Sequence, residues 1–200
     1  MWDQRYAGQD YFFGTDPAAF LLRAAQLLPA TSRVLCLADG EGRNSVHLAG
    51  QGHRVTAMDA SPVGLAKARV LAAARGVDVD YRQADIGDWD WGGGGWDAIF
   101  GIFIQFAGPD LRARIHAGIR QAVTPGGLVF LHGYAPRQIK YGTGGPPMVE
   151  NLYTLEALHD DFPDWQVLEA VDYDADIREG EGHSGKSALI DFILRRPSPA

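Results

Sequence analysis

The sequence predicts an α/β fold, with helices wound on both faces of a mostly parallel sheet. Three features carry that expectation. Short apolar runs alternate with stretches whose apolar residues recur at helical spacing, an order that gives right-handed crossovers and parallel strands. The first run, Val34-Leu35-Cys36-Leu37, enters the glycine turn Gly40-Glu41-Gly42 and restarts at once as a helix. Near the C-terminus, Trp165 to Tyr173 and Ser187 to Arg195 read as two successive strands, the pattern of a terminal hairpin.

Residues 1–15 hold Trp2, Tyr6, Tyr11, Phe12, Phe13 and Gly14 without clear period, so they read as a segment lying over the domain. Asp16-Pro17 supplies an N-cap and a first-turn proline; Phe20, Leu21, Ala24, Ala25 and Leu28 stripe the helix that Pro29 ends. The helix after the glycine turn closes at Gly50 or Gly52. His53 to Met58 is a strand that Asp59 terminates. Ser61 caps a helix from Val63 to Arg75, with Leu65, Ala68, Leu71 and Ala72 inward and Gly76 as its stop. Val77, Val79 and Tyr81 alternate as a third strand, which runs on to Gln83-Ala84-Asp85-Ile86. A tryptophan and glycine loop without catalytic pattern leads to Trp96 through Phe103, apolar enough to be buried on both faces. Leu111, Ile115 and Ile119 mark a helix from Asp110 to Val123, and Thr124-Pro125-Gly126-Gly127 turns into the strand Leu128 to His132. Residues 134–150 are broken and polar, as expected of a lid-like loop. A short helix, Leu155 to Phe162, precedes the hairpin. The whole chain, 1–200, reads as one domain.

Composition narrows the function. Eighteen basic against twenty-five acidic residues leave a net charge of -7, which argues against a nucleic-acid partner. Arg195-Arg196 reads as a solvated strand end. The single cysteine, Cys36, cannot form an internal disulfide and sits in the most apolar strand, so it reads as inert core. The amino terminus lacks the basic start and apolar core of a signal peptide, and no apolar run approaches the roughly 20 residues of a membrane span. Cytoplasm and no membrane partner are the expectation.

The chemistry gathers at the glycine turn. Without side chains at Gly40 and Gly42 the backbone can approach a ligand, and the following helix offers free N–H donors. Asp59 lies 19 positions beyond Gly40, the spacing that puts a carboxylate at the tip of the neighbouring strand, where it can accept hydrogen bonds from ribose hydroxyls. Asp85, at the next strand end, suits the amino edge of an adenine. Gly180-Glu181-Gly182-His183-Ser184-Gly185-Lys186-Ser187 fits a phosphate-loop pattern but leads into a strand rather than a helix, so it reads as a hairpin loop. The histidines His47, His53, His116, His132, His159 and His183 show no metal-ligand spacing, and no metal is expected.

A glycine turn, two strand-end acids and a terminal hairpin together resemble the class I S-adenosylmethionine-dependent methyltransferases. Trp2-Asp3-x-Arg5-Tyr6 with Tyr11-x-Phe13-Gly14 and Gly40-Glu41-Gly42-Arg43-Asn44 look like the tellurite-resistance and thiopurine methyltransferase branch. The resemblance implies a doubly wound, Rossmann-like seven-stranded sheet in order 3-2-1-4-5-7-6 with strand seven antiparallel, and an aromatic N-terminal segment covering the site. It implies S-adenosylmethionine as cofactor and S-adenosylhomocysteine as product, held by Ala38, Asp39, Gly40, Glu41, Gly42, Asn44, Asp59, Ala60, Ala84, Asp85 and Ile86, with Gly101, Ile102 and Phe103 flanking the methyl group. The chain departs from the family in Cys36, where an acid is usual, and in Ala38, where a glycine is usual.

Methyl transfer asks mainly for alignment, which can supply roughly 7–11 kcal/mol. No general base is needed for an acceptor that arrives as an anion or thiolate, and no triad or carboxylate pair stands out in the sequence. The expected acceptor is a small molecule, a soft anion such as tellurite or selenite or a thiol. Arg178 and His183 on the hairpin loop and Tyr141 in the lid are the residues expected to orient it. A nicotinamide oxidoreductase and a non-catalytic cofactor-binding module are the alternatives, and the assembly is expected to be a monomer or homodimer.

Overall fold

The structure, a computed structural model, describes residues 2–198. Its strands are β1 (Arg33–Leu37), β2 (Arg54–Asp59), β3 (Asp80–Gln83), β4 (Trp96–Ile102), β5 (Val123–Tyr134), β6 (Gln166–Glu179) and β7 (His183–Arg195). They form one seven-stranded sheet in the order β3-β2-β1-β4-β5-β7-β6. The first five pair in parallel, and β7 runs antiparallel between β5 and β6. This is the topology expected above.

Apolar residues on both sides of β1 and β4 explain why the sheet is covered on both faces. Leu35, Leu37 and Ile99 join the core on one face, and Val34, Cys36, Ala98 and Phe100 the core on the other. Cys36 is buried, and apolar surroundings push its thiol pKa well above the ordinary value. Phe100 stacks on Phe130 of β5 with ring centroids 4.2 Å apart.

The helices are α1 (Trp2–Tyr6), α2 (Ala19–Ala24), α3 (Arg43–Gly50), α4 (Pro62–Arg75), α5 (Pro109–Ala122) and α6 (Leu155–Asp161). Ser61 caps α4 by accepting the Gly64 N–H at 3.0 Å, and Gly76 ends it at φ +65°. Thr154 caps α6 in the same way.

Several expectations need correction. The N-terminal segment contains a helix, α1, where no period is visible. Asp16 is not a cap: α2 starts later, with Ala18 at the cap position, and the Ala18 N–H donates to Asn44 Oδ1 instead. β5 begins at Val123 because Gly126 and Gly127 pair with Arg196 across the C-terminal end of β7. The hairpin is longer than its pattern suggests, leaving only Gly180-Glu181-Gly182 as the turn, so the phosphate-loop look-alike enters β7 directly. Residues 135–150 do not overhang the sheet rim. Gln138 ties them to Thr143, Gly144 and the Ala188 N–H of β7, and none of them lines the cleft described below.

Among the described residues no α-helix links β3 to β4; two short 3-10 turns, Ile86–Asp88 and Trp91–Gly93, make the crossover. Trp91 docks against α5 at Gly118, where any side chain would collide with the indole.

Candidate functional site

The left-handed bend after β1 creates the site. Ala38, Gly40 and Gly42 have φ values of +46°, +63° and +90°, which turn the chain sharply into α3. Asp59 at the tip of β2 locks the bend. Its Oδ2 accepts the Gly40 N–H and its Oδ1 the Ser61 N–H, both at 2.8 Å. Burial raises the Asp59 carboxyl pKa, which these backbone donors partly oppose. Asp39 is held by the hydroxyl and backbone N–H of Ser45, and burial lifts its pKa to about 7.

A cavity of about 200 Å³ opens at the carboxyl rim of the sheet, above this bend. Ala38, Asp39, Gly40 and Asn44 line it from the turn and α3, Asp59 and Ala60 from the end of β2, and Ala84, Asp85 and Ile86 from the end of β3. Ile102 and Phe103 close the β4 side, with Phe103 at an uncommon φ of +55° and its N–H donated to the His132 carbonyl. Met58 adds an apolar wall that the sequence did not single out. Asp85 Oδ1 also caps the Gly87 N–H at 2.8 Å.

Three residues expected to hold the cofactor do not line this cavity and serve the fold. Glu41 faces away from the cavity: its carboxylate accepts the Phe12 N–H at 2.7 Å and pairs with Lys67 at 2.6 Å. Gly42 is demanded by packing, since a Cβ there would lie 2.7 Å from Ala68 Cβ of α4. Gly101 is likewise squeezed between Ile104 and Leu131.

The N-terminal segment covers the cavity. Trp2, Tyr6 and Phe13 line it from above together with Phe106. Tyr6 lies over the bare Gly40, its Oη 2.7 Å from where a Cβ would stand. At Phe12 the chain is tied to the hairpin, as the Glu181 N–H donates to the Phe12 carbonyl.

Of the three residues expected to act on the acceptor, only His183 lines the cavity. Its ring sits between Phe103 and Phe13, with centroids 4.0 and 4.5 Å away. Its Nδ1 is buried without a hydrogen-bond partner and lies 3.9 Å from Glu179 Oε2. Burial would raise the Glu179 pKa, but the nearby His183 ring, the charge of Arg43 and the Ala19 N–H together lower it to about 2. Arg43 Nη2 contacts Glu179 at 2.8 Å, and the Ala19 N–H donates to the same carboxylate. Burial also lowers the His183 pKa, with Glu179 opposing only in part, so the ring is neutral near pH 7.

Arg178 and Tyr141 must be withdrawn from the site. Arg178 is exposed on β6 opposite Ser184, beside Asp16 and Pro17 rather than the cavity. The hydroxyl of Tyr141 donates to Asp174 at 2.6 Å, and Lys186 lies over its ring. Arg43 and Glu179 escaped the sequence reading. Arg43 follows Gly42 directly, but only the pairing of Glu179 with His183 across β6 and β7 brings the three side chains together.

Residues 34–127 match a family described as a methyltransferase domain. The ubiquinone biosynthesis O-methyltransferase of Xanthomonas axonopodis pv. citri (strain 306) is 36% identical over 109 residues, or 54% of this chain; the chain covers 45% of that protein's length. The N-methyltransferase NodS of Bradyrhizobium japonicum WM9, solved with S-adenosyl-L-homocysteine, aligns with a TM-score of 0.75 at 15% identity, over 98% of this chain and 96% of that one. TehB of Haemophilus influenzae aligns with a TM-score of 0.72 at 17% identity, over 98% and 65% respectively. At these identities the two solved structures establish likeness of fold. The family match takes in the glycine turn, Asp59, Asp85 and Phe103, while Trp2, Phe13, Glu179 and His183 lie outside it.

Proposed function

We propose that the chain is a class I S-adenosylmethionine-dependent methyltransferase that transfers the methyl group of S-adenosylmethionine to a small-molecule acceptor, a reading supported by the methyltransferase-domain match over residues 34–127. The observation that carries this reading is the cleft floored by the bare Gly40 bend, with Asp59 and Asp85 at successive strand tips. The residues fit the cofactor. Each Asp59 oxygen receives one backbone N–H and keeps a lone pair for a ribose hydroxyl. Ala84, Asp85 and Ile86 suit the adenine, Met58 and Ile102 supply apolar walls, and Gly40 and Asn44 lie toward the amino-acid end.

When bound, the cofactor supplies an electrophilic methyl carbon on a sulfonium sulfur. The chain's contribution is to align the acceptor and exclude water, tasks that fall to Phe103, Phe13, Trp2 and Phe106 around the mouth. Of the acceptors considered from the sequence, the lining favours a thiol over a tellurite or selenite oxyanion. Among the described residues Arg43 is the one cationic side chain lining the cavity, and it is ion-paired with Glu179 and so offers little to a free anion.

Calorimetric titration with S-adenosylmethionine, S-adenosylhomocysteine and NAD tests the reading. Binding of the first two and silence with NAD is the expected pattern; NAD binding without the others would overturn it. A mass-spectrometric screen for methylated products from thiols and from tellurite then separates the acceptors.

A further inference from the structure

The sequence shows no catalytic array, yet the fold assembles one. We propose that His183 acts as general base toward a neutral acceptor bearing an O–H or S–H on a flat apolar body, and that Glu179, fixed by Arg43, is the positioning residue that holds the imidazole in its proton-accepting tautomer. This rests on the methyltransferase reading of the cleft.

Position comes first. His183 is 7% exposed, lines the cavity, and is clamped between Phe103 and Phe13, so its plane is set by packing. Nδ1 faces the Glu179 carboxylate at 3.9 Å, longer than a hydrogen bond and of the kind that loosely held catalytic pairs close on ligand binding. With the proton on Nδ1 and directed at Glu179, Nε2 is left as the lone-pair nitrogen for the cleft. Glu179 cannot drift, because Arg43 and the Ala19 N–H hold its two oxygens.

The charged and titratable neighbours agree. Glu179 from β6 and Arg43 from α3 act on the ring in opposite senses, His132 from β5 adds a small depression, and Tyr134 stands edge-on at 5.7 Å. The ring is therefore uncharged at neutral pH and free to accept a proton. In the step, the proton leaves the acceptor atom for His183 Nε2. The electron pair of the broken O–H or S–H bond remains on that atom and forms the new bond to carbon, while the pair of the old carbon–sulfur bond leaves with the thioether product. The imidazolium so formed is stabilised by Glu179. An acceptor already ionised would need no such base, and a wall of Trp2, Phe13, Phe103 and Phe106 favours a flat apolar body over a hydrated oxyanion.

Imidazole nitrogen NMR on the full chain, from pH 5 to 9, tests the assignment without turnover. His183 is expected to be neutral at pH 7 with its proton on Nδ1. Glu179→Gln should lower its pKa by about one unit and Glu179→Asp should largely restore it. A His183 protonated on Nε2, or a pKa indifferent to Glu179→Gln, overturns the proposal; if the Gln variant fails to fold, the wild-type tautomer alone decides. With S-adenosylhomocysteine present, benzyl mercaptan or catechol, both un-ionised at neutral pH, should shift the His183 resonances, the two probes separating S–H from O–H acceptors. A shift with tellurite alone, or with none of the three, overturns the acceptor class. Failure of the wild type to bind S-adenosylhomocysteine would instead sink the cofactor reading, and leaves the tautomer result standing.

Discussion

Asp39 sets the pH behaviour of the glycine turn. Burial holds its proton to about pH 7, whereas the unfolded carboxyl loses it near pH 4. Between those limits the native chain binds more protons than the unfolded one. The contribution of this group to stability is therefore full at the acid end and fades as pH rises through 7, by up to about 1.4 kcal/mol per unit. Asp39→Asn should flatten that slope in urea unfolding at pH 5 and 7.5, and parallel slopes for the two proteins would count against it. Asp59 locks the turn and, in the proposed function, accepts from the ribose hydroxyls, so Asp59→Ala should weaken S-adenosylhomocysteine binding tenfold or more by calorimetry, each decade being about 1.4 kcal/mol. Gly42 answers to packing. Gly42→Ala forces a side chain onto a left-handed backbone against Ala68 and should cost roughly 2 kcal/mol or more in denaturant unfolding, through the fold rather than the cofactor.

At the scale of elements, α1 lines the cavity through Trp2 and Tyr6. The cavity of about 200 Å³ is smaller than the roughly 300–1,000 Å³ of typical ligand sites, and displacement of Tyr6 would enlarge it for a nucleoside. Two ties resist that movement. The buried Glu41 carboxylate grips both the Phe12 N–H and Lys67, and the hydroxyl of Ser61 bonds Asp3. Tyr6→Ala should speed both association and dissociation of S-adenosylhomocysteine in stopped-flow measurements by about tenfold. Glu41→Gln, which keeps the shape but loosens the charged ties, should move the same rates in the same direction; unchanged rates would mean that the cover does not gate entry. Another element shapes the far side of the sheet. With only 3-10 turns between β3 and β4, a groove lined by Arg54, Thr56, Asp80, Arg82 and Trp89 remains open over β2 and β3.

The whole molecule depends on one sheet packed on both faces. Phe100 and Phe130 stack at its centre, so Phe100→Ala should cost about 3–5 kcal/mol and leave a cavity that thermal unfolding reports as a large drop in Tm. Sheet order, the places of most helices, and the gathering of Gly40, Asp59, Asp85 and Phe103 around one cleft were all legible in the chain, directly or through the family its motifs resemble. Those features rest on short-range rules: apolar period, caps such as Ser61 and Thr154, and left-handed stops such as Gly76 act among residues a few positions apart. Helix α1, the extent of the hairpin and the outward turn of Glu41 were not legible. Each is decided by a partner far away in sequence, as when Glu41 meets Phe12 and Lys67. The same holds for the acceptor side. Arg43 and Glu179 stand 136 positions apart, and only the register of β6 against β7 sets Glu179 beside His183, whose ring packs on Phe13. By itself the sequence determined the sheet, the glycine turn and the acids at its rim, because local patterning dictates them. Tertiary structure alone decided which side chains face the cleft, because register and close packing, rather than proximity in the chain, choose a residue's neighbours.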